Sequence, residues 1–433
     1  MGKINPYLAV LSCVLLFSGH SWSVDQLYTH QPAVTPELAF KGTYFVGVTS
    51  ATITDAKRLN SNNFITSTER PLVLEIWYPT DLSTVNETLK QPTTYKDVTR
   101  LQKPFEIQGT AFRDTPIFTA KPFPLIILSH GFTGYRTQMF YLGEHLASHG
   151  YIVIGIDHTD STNDEVFDDA TGASGFISTL YNRARDQQFV LDYFATAKKV
   201  LPVIGLSTQI DTNNAAIIGH SMGGFAALNT VGGCYDFNAE QMKKIGIPPI
   251  IASLLPFRLN SCFAGKEQLD PRWKAIQMFA PWGGEYNAHN KQAMNNISVP
   301  SLFLAGDQDN TSGFENGVKK LYKQIGSEHK YMLVYENGRH NIAGHPAPTA
   351  SFDSDFELGH YAEPSWNIET INRVNKHISL AFLDCHVKNQ LSRCEYLPVR
   401  ENIQQYLGSD GKYTDPWPGF KHLWGSGIRF YRP

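Results

Sequence analysis

The sequence lacks several features that would place the chain in common classes of protein. Its 37 lysine and arginine residues are balanced by 40 aspartate and glutamate residues, so the formal net charge is only −3 and no nucleic-acid-binding surface is predicted. No apolar run reaches the roughly 18 residues that a membrane-spanning helix requires. Neither Cys-x-x-Cys nor His-Glu-x-x-His occurs, so we expect no metal and no other cofactor.

The composition is that of a folded protein, with 42% hydrophobic and 18% charged residues. A chain of 433 residues is long enough for two domains or for one large α/β domain with insertions. No internal repeat divides it. We predict a single domain over residues 24–433.

The first 23 residues have the pattern of a secretory signal peptide. Lys3 precedes an apolar stretch at 7–17, and Ser21 and Ser23 are small residues at the −3 and −1 positions of a cleavage site. We therefore expect residues 1–23 to be removed on export, to the periplasm or the exterior, leaving no transmembrane segment. A buried N-terminal strand and a lipoprotein signal ending at Cys13 are the alternatives.

Cysteine is scarce, with five residues in the chain. Loss of the signal peptide leaves Cys234, Cys262, Cys385 and Cys394, and an even number in an exported chain favours disulfides. Of the three possible pairings, Cys234–Cys262 with Cys385–Cys394 is the most economical because each bond closes a local loop. Free buried thiols are the alternative.

Hydrophobic periodicity predicts alternating strands and helices. Met139, Leu142 and Leu146 repeat at helical spacing between two continuous apolar runs of the kind found in strands that are buried on both faces. Such alternation predicts an α/β fold with a mainly parallel central sheet and helices on both faces. Apolar strands are expected at 124–129, 151–157, 215–219, 274–281, 299–305 and 331–335.

Three segments interrupt this pattern. Residues 86–122 are polar, and we expect a surface insertion without regular structure. Residues 232–271 are expected to form a cap-like insertion near the site. Residues 400–433, rich in glycine, proline and aromatic residues, are expected to pack on the domain as an irregular extension, rather than as a domain of their own.

The most informative motif is Gly-His-Ser-Met-Gly-Gly at residues 219–224, between an apolar run and a helix-forming segment. Gly219 and Gly223 lack Cβ atoms, so a helix can leave the strand through a very tight turn. This pattern is typical of a nucleophile elbow, in which the turn exposes the hydroxyl of Ser221. An ordinary glycine-rich turn is the alternative.

An elbow serine requires an acid and a histidine, in that chain order. Asp309 follows the predicted strand at 301–305, and its Gly-x-x-Asp spacing favours it over Asp307. His340 follows the next predicted strand after a glycine turn, with His345 as the competing candidate. We predict that Ser221, Asp309 and His340 form a catalytic triad.

The oxyanion hole of such a site uses two backbone N–H groups. One is predicted to be that of Met222, directly after the nucleophile at a helix N-terminus. The other is predicted to be that of Phe132, in the loop after the strand at 124–129. His130, in the same loop, is expected to be a structural hydrogen-bonding residue.

Several motifs together resemble the platelet-activating factor acetylhydrolase and dienelactone-hydrolase-like branch of the α/β-hydrolase superfamily. The similarity runs from about Gly42 to Pro398 and extends to cutinase-type polyester hydrolases. It is carried by Ser129-His130-Gly131-Phe132-Thr133-Gly134, Leu146 to Val153, Asp157-His158, the Gly-His-Ser-Met-Gly-Gly motif, Ala280-Pro281-Trp282 and Gly306-x-x-Asp309.

This resemblance implies an α/β-hydrolase fold and the same three triad residues. It also implies that Phe132 and Trp282 flank the bound acyl group, although Trp282 could instead be a core residue. The chain departs from dienelactone hydrolases proper, whose nucleophile is cysteine. It departs from compact polyester hydrolases through residues 232–271 and the long C-terminal extension.

The expected function is that of a secreted serine esterase acting on short acyl esters, with a small-molecule or lipid ester as its partner. A phospholipid or platelet-activating-factor-type acylhydrolase and a polyester hydrolase are alternatives. An inactive binding protein on a hydrolase scaffold is the non-enzymatic alternative. A metal-dependent hydrolase is disfavoured because His340 and His345 alone make a poor ligand set.

Overall fold

The computed structural model describes most of the chain after the predicted signal peptide. The described residues are 24–28, 35–85, 87, 90–119, 121–196, 201–203, 205–262, 269–397, 411, 417–421 and 425–433. The predicted signal peptide at 1–23 and the greater part of the predicted extension at 400–433 lie outside them.

A single sheet of twelve strands organises these residues, in the spatial order β1-β5-β2-β3-β7-β6-β8-β9-β10-β11-β12, with β4 paired to β5. The strands are β1 (Val24–Asp25), β2 (Phe45–Leu59), β3 (Ser67–Thr80), β4 (Pro92–Val98), β5 (Pro104–Arg113), β6 (Phe123–Ser129), β7 (Ile152–Asp157), β8 (Ile210–His220), β9 (Trp273–Phe279), β10 (Ser301–Gly306), β11 (Lys330–Tyr335) and β12 (Ile428–Tyr431).

The central six strands, β7-β6-β8-β9-β10-β11, are parallel, as their continuous apolar sequences predict. Antiparallel neighbours flank them: β3 beside β7 and β12 beside β11. Because the central strands run the same way, their carboxyl ends lie at one edge of the sheet, where the loops that follow them meet.

Helices cover both faces, which confirms the predicted fold class. They are α1 (Phe140–Ser148), α2 (Asp169–Thr196), α3 (Met222–Thr230), α4 (Ala239–Lys244), α5 (Pro249–Leu254), α6 (Pro256–Leu259), α7 (Lys291–Asn296), α8 (Lys319–Gln324), α9 (Asp355–Leu358), α10 (Ile368–His386) and α11 (Leu391–Cys394). None of the helices in the described ranges is long and apolar enough to cross a membrane.

The core is divided by the sheet. On one face Leu142 of α1 and Ile378 of α10 pack in a cluster with Trp77 of β3. On the other face Leu191 of α2 and Leu228 of α3 pack with the opposite side chains of the same strands. Burial of both faces is the main stabilising contribution to this layered arrangement.

The segment at 86–122 has regular structure, so the expectation of an irregular insertion was wrong. Its strands β4 and β5 form an antiparallel hairpin, and β5 also pairs with β2 and β1. In β5, Phe105, Ile107 and Ala111 are buried, because alternate residues of a strand share one face. The sequence does contain this two-residue alternation, which is typical of a half-buried strand. The high content of polar residues in the whole segment nevertheless favoured the interpretation as an irregular insertion.

The insertion at 232–271 contains the short helices α4, α5 and α6. Met242 and Leu259 of these helices are fully buried in a third apolar cluster with Met222 and Phe225 of α3. A disulfide between Cys234 and Cys262, with S–S 2.03 Å, closes the part of this insertion that contains the three helices. The insertion therefore packs directly on the helix that follows the predicted nucleophile.

The second disulfide joins Cys385 of α10 to Cys394 of α11, with S–S 1.99 Å. Both bonds are those of the most economical pairing. The C-terminal extension also contributes more order than predicted, because β12 pairs with β11 at the edge of the sheet.

Candidate active site

Ser221 lies at the turn between β8 and α3, in the strained conformation that an elbow requires. Its backbone dihedrals are φ 51° and ψ −112°, outside the regions that side chains normally allow. Its N–H donates to the carbonyl of Phe279 at 2.8 Å. A Cβ on Gly219 would lie 2.4 Å from the carbonyl carbon of Gly223, and one on Gly223 would lie 2.1 Å from the Ser129 oxygen. Glycine is therefore required at both positions.

Asp309 and His340 lie in the loops after β10 and β11. Nδ1 of His340 is 2.9 Å from Oδ2 of Asp309. The N–H groups of Thr311 and Ser312 donate to the other carboxylate oxygen at 2.8 and 3.0 Å. Burial disfavours the charged carboxylate, but these donors and His340 outweigh it and hold the pKa of Asp309 below its ordinary value.

Asp307 and His345, the competing candidates for the acid and the histidine, form hydrogen bonds with other residues. Asp307 accepts from the N–H of Asn337 and from Arg429 of β12, each at 2.7 Å. His345 is buried against Tyr135, with its Nε2 2.6 Å from the phenol oxygen. Burial lowers the pKa of His345 to about 4, so the ring is neutral at neutral pH. The structure brings Asp309, and not Asp307, to His340.

His220, directly before the serine, supports the histidine loop, and sequence reasoning did not identify it. Its Nε2 lies 3.3 Å from the carbonyl oxygen of His340, and the two rings are 5.1 Å apart. Burial and repulsion from His340 lower the pKa of His220 to about 3. The neutral ring therefore donates its Nε2–H to that carbonyl, which links the elbow to the loop of His340.

The loop after β6 is held by buried polar groups. The N–H of His158 donates to Nε2 of His130 at 3.2 Å, so Nδ1–H of His130 donates to the carbonyl of Gly131 at 2.7 Å. Arg183 of α2 donates to the carbonyls of His130 and Gly131 and to Ser161. Burial, with the nearby Arg183, holds the pKa of His130 far below its ordinary value. His130 thus has the structural surroundings that we expected.

This loop passes directly beside the nucleophile. A Cβ on Gly131 would lie 3.1 Å from Nδ1 of His220 and 3.4 Å from Cβ of Ser221. Phe132 follows Gly131 in the chain, and Met222 follows Ser221 as the first residue of α3. The first N–H groups of a helix have no acceptor within it, so the N–H of Met222 has no partner within α3.

A cavity of about 510 Å³ opens over these residues. Ser221, His340 and Phe132 line it together. Further lining residues come from the β4–β5 turn, the loops after β6, β7, β10 and β11, and the segment around α9, including Arg100, Gln138, Asn163, Asn310, Arg339, Asn341, Asp355, His360 and Tyr361.

Trp282 is not among the residues that line this cavity. Its ring is 8% exposed and stacks on Tyr286 with centroids 4.9 Å apart. Phe176 of α2 lies between Trp282 and Phe132, at 5.8 and 5.6 Å from their rings. We call Phe132, Phe176 and Trp282 the aromatic row. Phe176 was missed because nothing in its local sequence marks it as part of the site.

A buried charge cluster lies beneath the β6 loop. Asp186 of α2 accepts from Arg58 at 2.7 Å, from Arg70 at 2.9 Å and from Nδ1 of His158 at 3.0 Å. Burial disfavours the carboxylate, but the two arginines and His158 hold the pKa of Asp186 well below its ordinary value. Nε2 of His158 lies 2.9 Å from the hydroxyl of Ser129, which connects this cluster to the end of β6.

No grouping of three or more histidine, cysteine, aspartate or glutamate side chains suited to a metal ion occurs in the part of the chain that the structure describes.

Comparison with known proteins shows similarity to several ester hydrolases. Residues 107–239 match a family model described as PETase, PET hydrolase-like. A cutinase of Thermobifida alba, est1, is 26% identical over 216 residues, which are 50% of this chain and 52% of the cutinase. The platelet-activating factor acetylhydrolase of Cavia porcellus is 30% identical over 325 residues, 68% of this chain and 62% of that protein.

The chain is a relative of the α/β-hydrolases. A ferulic acid esterase from Streptomyces cinnamoneus has the same fold, with a TM-score of 0.50 and 19% identity over 85% of this chain and 94% of the esterase. The match to the cutinases spans about half of their length. The α/β-hydrolase fold explains why the elbow, acid and histidine loops all lie at one sheet edge.

Proposed function

We propose that the protein is a secreted serine esterase that hydrolyses carboxylic esters through an acyl-enzyme. The observation that supports this proposal best is the pair of Asp309 and His340, 2.9 Å apart, at the cavity that Ser221 also lines. A strained serine, a buried carboxylate and an imidazole in this arrangement are the components of nucleophilic acyl transfer.

In the proposed reaction His340 accepts the proton of the Ser221 hydroxyl as its oxygen attacks the ester carbonyl. Asp309 holds Nδ1–H of the imidazole, so that Nε2 faces the serine. The N–H groups of Phe132 and Met222 stabilise the oxyanion. Collapse expels the alcohol with a proton from His340, and water then releases the acid by the same steps in reverse.

The proposed acyl groups are short. Phe132 lines the cavity with Ser221, and Phe176 and Trp282 pack with it in the same apolar cluster as the insertion at 232–271, which limits the space for the acyl group. A phospholipid or platelet-activating-factor-type acylhydrolase is the second candidate, supported by the 30% identity to the Cavia porcellus acetylhydrolase. A polyester hydrolase is the third, supported by the PET hydrolase-like match. The two disulfides support an exported location, secreted or periplasmic.

A hydrolysis screen tests this proposal. Purified protein is assayed on esters with acyl chains from acetyl to long, on a phospholipid and on a polyester film, beside Ser221→Ala and the exposed control Ser253→Ala. We expect turnover of short esters that disappears only in Ser221→Ala and persists with a chelator present. Activity that survives Ser221→Ala, or is lost to the chelator, would contradict the proposal. Absence of turnover in every arm would favour the non-enzymatic alternative.

A further inference from the structure

Arg100 is a cation that lines the cavity over Ser221. It lies in the turn between β4 and β5, and its Nη2 donates to the carbonyl oxygen of Phe132 at 3.1 Å. In the described ranges no aspartate or glutamate forms an ion pair with it. Burial lowers the pKa of Arg100 to about 10, so it stays charged at neutral pH while being partly deprived of water.

The turn that carries Arg100 is anchored on both sides. The N–H of Leu101 donates to Oε1 of Glu357 at 2.6 Å, and Gln102 donates to the carbonyl of Asn163 at 2.5 Å. Asn163 in turn donates to the carbonyl of Val98 at 3.0 Å. The turn that carries Arg100 is therefore fixed, and its guanidinium is oriented by the bond to the Phe132 carbonyl.

The charge of the cavity lining is positive on balance. Arg100 and Arg339 line it, and within the described ranges the guanidinium of Arg339 bonds to a neutral side chain, Asn310 at 3.2 Å. Asp355 is the one carboxylate in the described lining, and it is exposed in the first turn of α9. Burial, together with the charge of Arg100, lowers the pKa of His360 to about 4, so that ring adds no positive charge at neutral pH.

The position of His340 indicates which half of the ester would meet Arg100. The imidazole must protonate the leaving alcohol, so the alcohol lies on the side of the His340 loop. Arg339, His340 and Asn341 of that loop line the same cavity as Arg100. The acyl half then lies toward the apolar ring of Phe132, which lines the cavity.

We propose that the substrate's alcohol half carries an anionic group, a carboxylate or a phosphate, and that Arg100 binds it. The inference rests on the esterase function proposed above and names the class of alcohol that the site selects. An unpaired guanidinium has further N–H donors in a planar fork that matches either anion. The rest of the cavity lining around the alcohol half is only weakly charged. Pairing with Arg100 would therefore make the enzyme select esters of anionic alcohols over esters of neutral ones.

The test uses three acetate esters that differ at one position: 4-acetoxybenzoate, 4-acetoxyphenyl phosphate and the neutral 4-acetoxybenzamide. The ratio of kcat/KM between the unaltered enzyme and each variant is measured for each ester, so intrinsic ester reactivity cancels. Arg100→Gln should lower kcat/KM about 10- to 100-fold for at least one anionic ester, mainly through KM. The neutral ester should lose distinctly less than the affected anionic ester, because Arg100→Gln removes only the contact with the Phe132 carbonyl from its hydrolysis.

Two further variants separate charge from structure. Arg100→Lys should recover part of the anionic preference because the charge remains. Arg258→Gln, on exposed α6, is the control for overall charge and should leave all three ratios unchanged. A loss confined to the carboxylate ester or to the phosphate ester identifies which anion the site takes.

An equal loss for all three esters would overturn the inference, because Arg100 would then serve only to hold the Phe132 carbonyl. No loss for either anionic ester would overturn it as well. Hydrolysis of the neutral ester by the unaltered enzyme, abolished in Ser221→Ala, keeps the proposed esterase function intact in both cases. The two proposals therefore fail in distinguishable ways.

Discussion

Nδ1 of His340 lies 2.9 Å from Oδ2 of Asp309, although 31 residues separate them in the chain. The contact forms because β10 and β11 are adjacent parallel strands, so the loops that follow them emerge at one edge. Asp307, only two residues before Asp309, is bound to Asn337 and Arg429 instead. Two aspartates of one loop therefore have different partners, and their substitution should have different effects.

Asp309→Asn should lower kcat by on the order of 10³- to 10⁴-fold, because an amide does not hold the imidazole in the required tautomer. Asp307→Asn should leave kcat nearly unchanged and cost at most about 1 kcal/mol of stability, since its pair with Arg429 is partly exposed. Steady-state kinetics of both variants on one short ester, with thermal denaturation of each, provides the measurement. A larger loss of kcat in Asp307→Asn would refute the assignment of the acid.

Protein isolated from its native compartment should contain two disulfides and no free thiol in its mature form. Mass spectrometry of unreduced peptides should link Cys234 to Cys262 and Cys385 to Cys394. The chain-entropy model gives about 3 to 4 kcal/mol for the bond spanning 28 residues and about 2 to 3 kcal/mol for the one spanning 9. Cys234→Ser with Cys262→Ser should thus lower Tm more than the other double variant. Four reactive thiols would contradict the bonds and weaken the proposal of export.

Substitutions in the aromatic row should change the acyl-chain preference. Trp282→Ala and Phe176→Ala each remove an apolar ring and should shift the chain-length profile of kcat/KM. Phe132→Ala should raise KM more than it lowers kcat, because its backbone N–H remains. Phe257→Ala, exposed on α6, is the matched control. If Trp282→Ala keeps the native chain-length profile, or simply unfolds the protein by circular dichroism, Trp282 is a structural residue.

Removal of the buried carboxylate at Asp186 should be strongly destabilising. Asp186→Asn removes the fully buried counter-ion of Arg58 and Arg70, which keep only the partly exposed Asp55 and Asp160, and should cost about 3 to 5 kcal/mol. The pKa of Asp186 is lower in the folded than in the unfolded chain, so its contribution is present above about pH 4. It is lost as the pH falls further through the folded-state value.

Urea denaturation of Asp186→Asn at neutral pH and near pH 3 measures this difference. The destabilisation should be smaller at the lower pH. Asp55→Asn is the control, because Asp55 binds the same Arg58 but is 24% exposed; it should cost no more than about 1 kcal/mol. A destabilisation by Asp186→Asn that is equal at both pH values would contradict the assigned ionisation.

The parts of the site that are local in sequence could be predicted from it. The elbow depends on Gly219 and Gly223 flanking Ser221, and those requirements are visible in six consecutive residues. The acid and the histidine follow predicted strands at regular spacing, so their loops could be located from the sequence alone. The fold class follows from the same apolar runs, because strands covered on both faces have no polar alternation.

The parts that depend on distant packing could not be predicted. Arg100 reaches the cavity because β5 joins the sheet edge and its turn docks on Glu357 and Asn163, which are far away in the chain. Phe176 lies in a helix whose position relative to Phe132 is set by tertiary packing. His220 occupies the first variable position of the Gly-x-Ser-x-Gly motif. The motif does not specify a histidine there, so its contact with the His340 loop could not be predicted from the sequence.

The central claim, that Ser221 is the nucleophile of an esterase, is tested most directly by covalent labelling with a fluorophosphonate. One label per chain should appear on the peptide containing Ser221, and residual activity should fall in proportion to the labelled fraction. Ser221→Ala should take no label, and His340→Ala should react far more slowly because the serine loses its base. A label on another serine, or an active enzyme that takes none, would contradict the account.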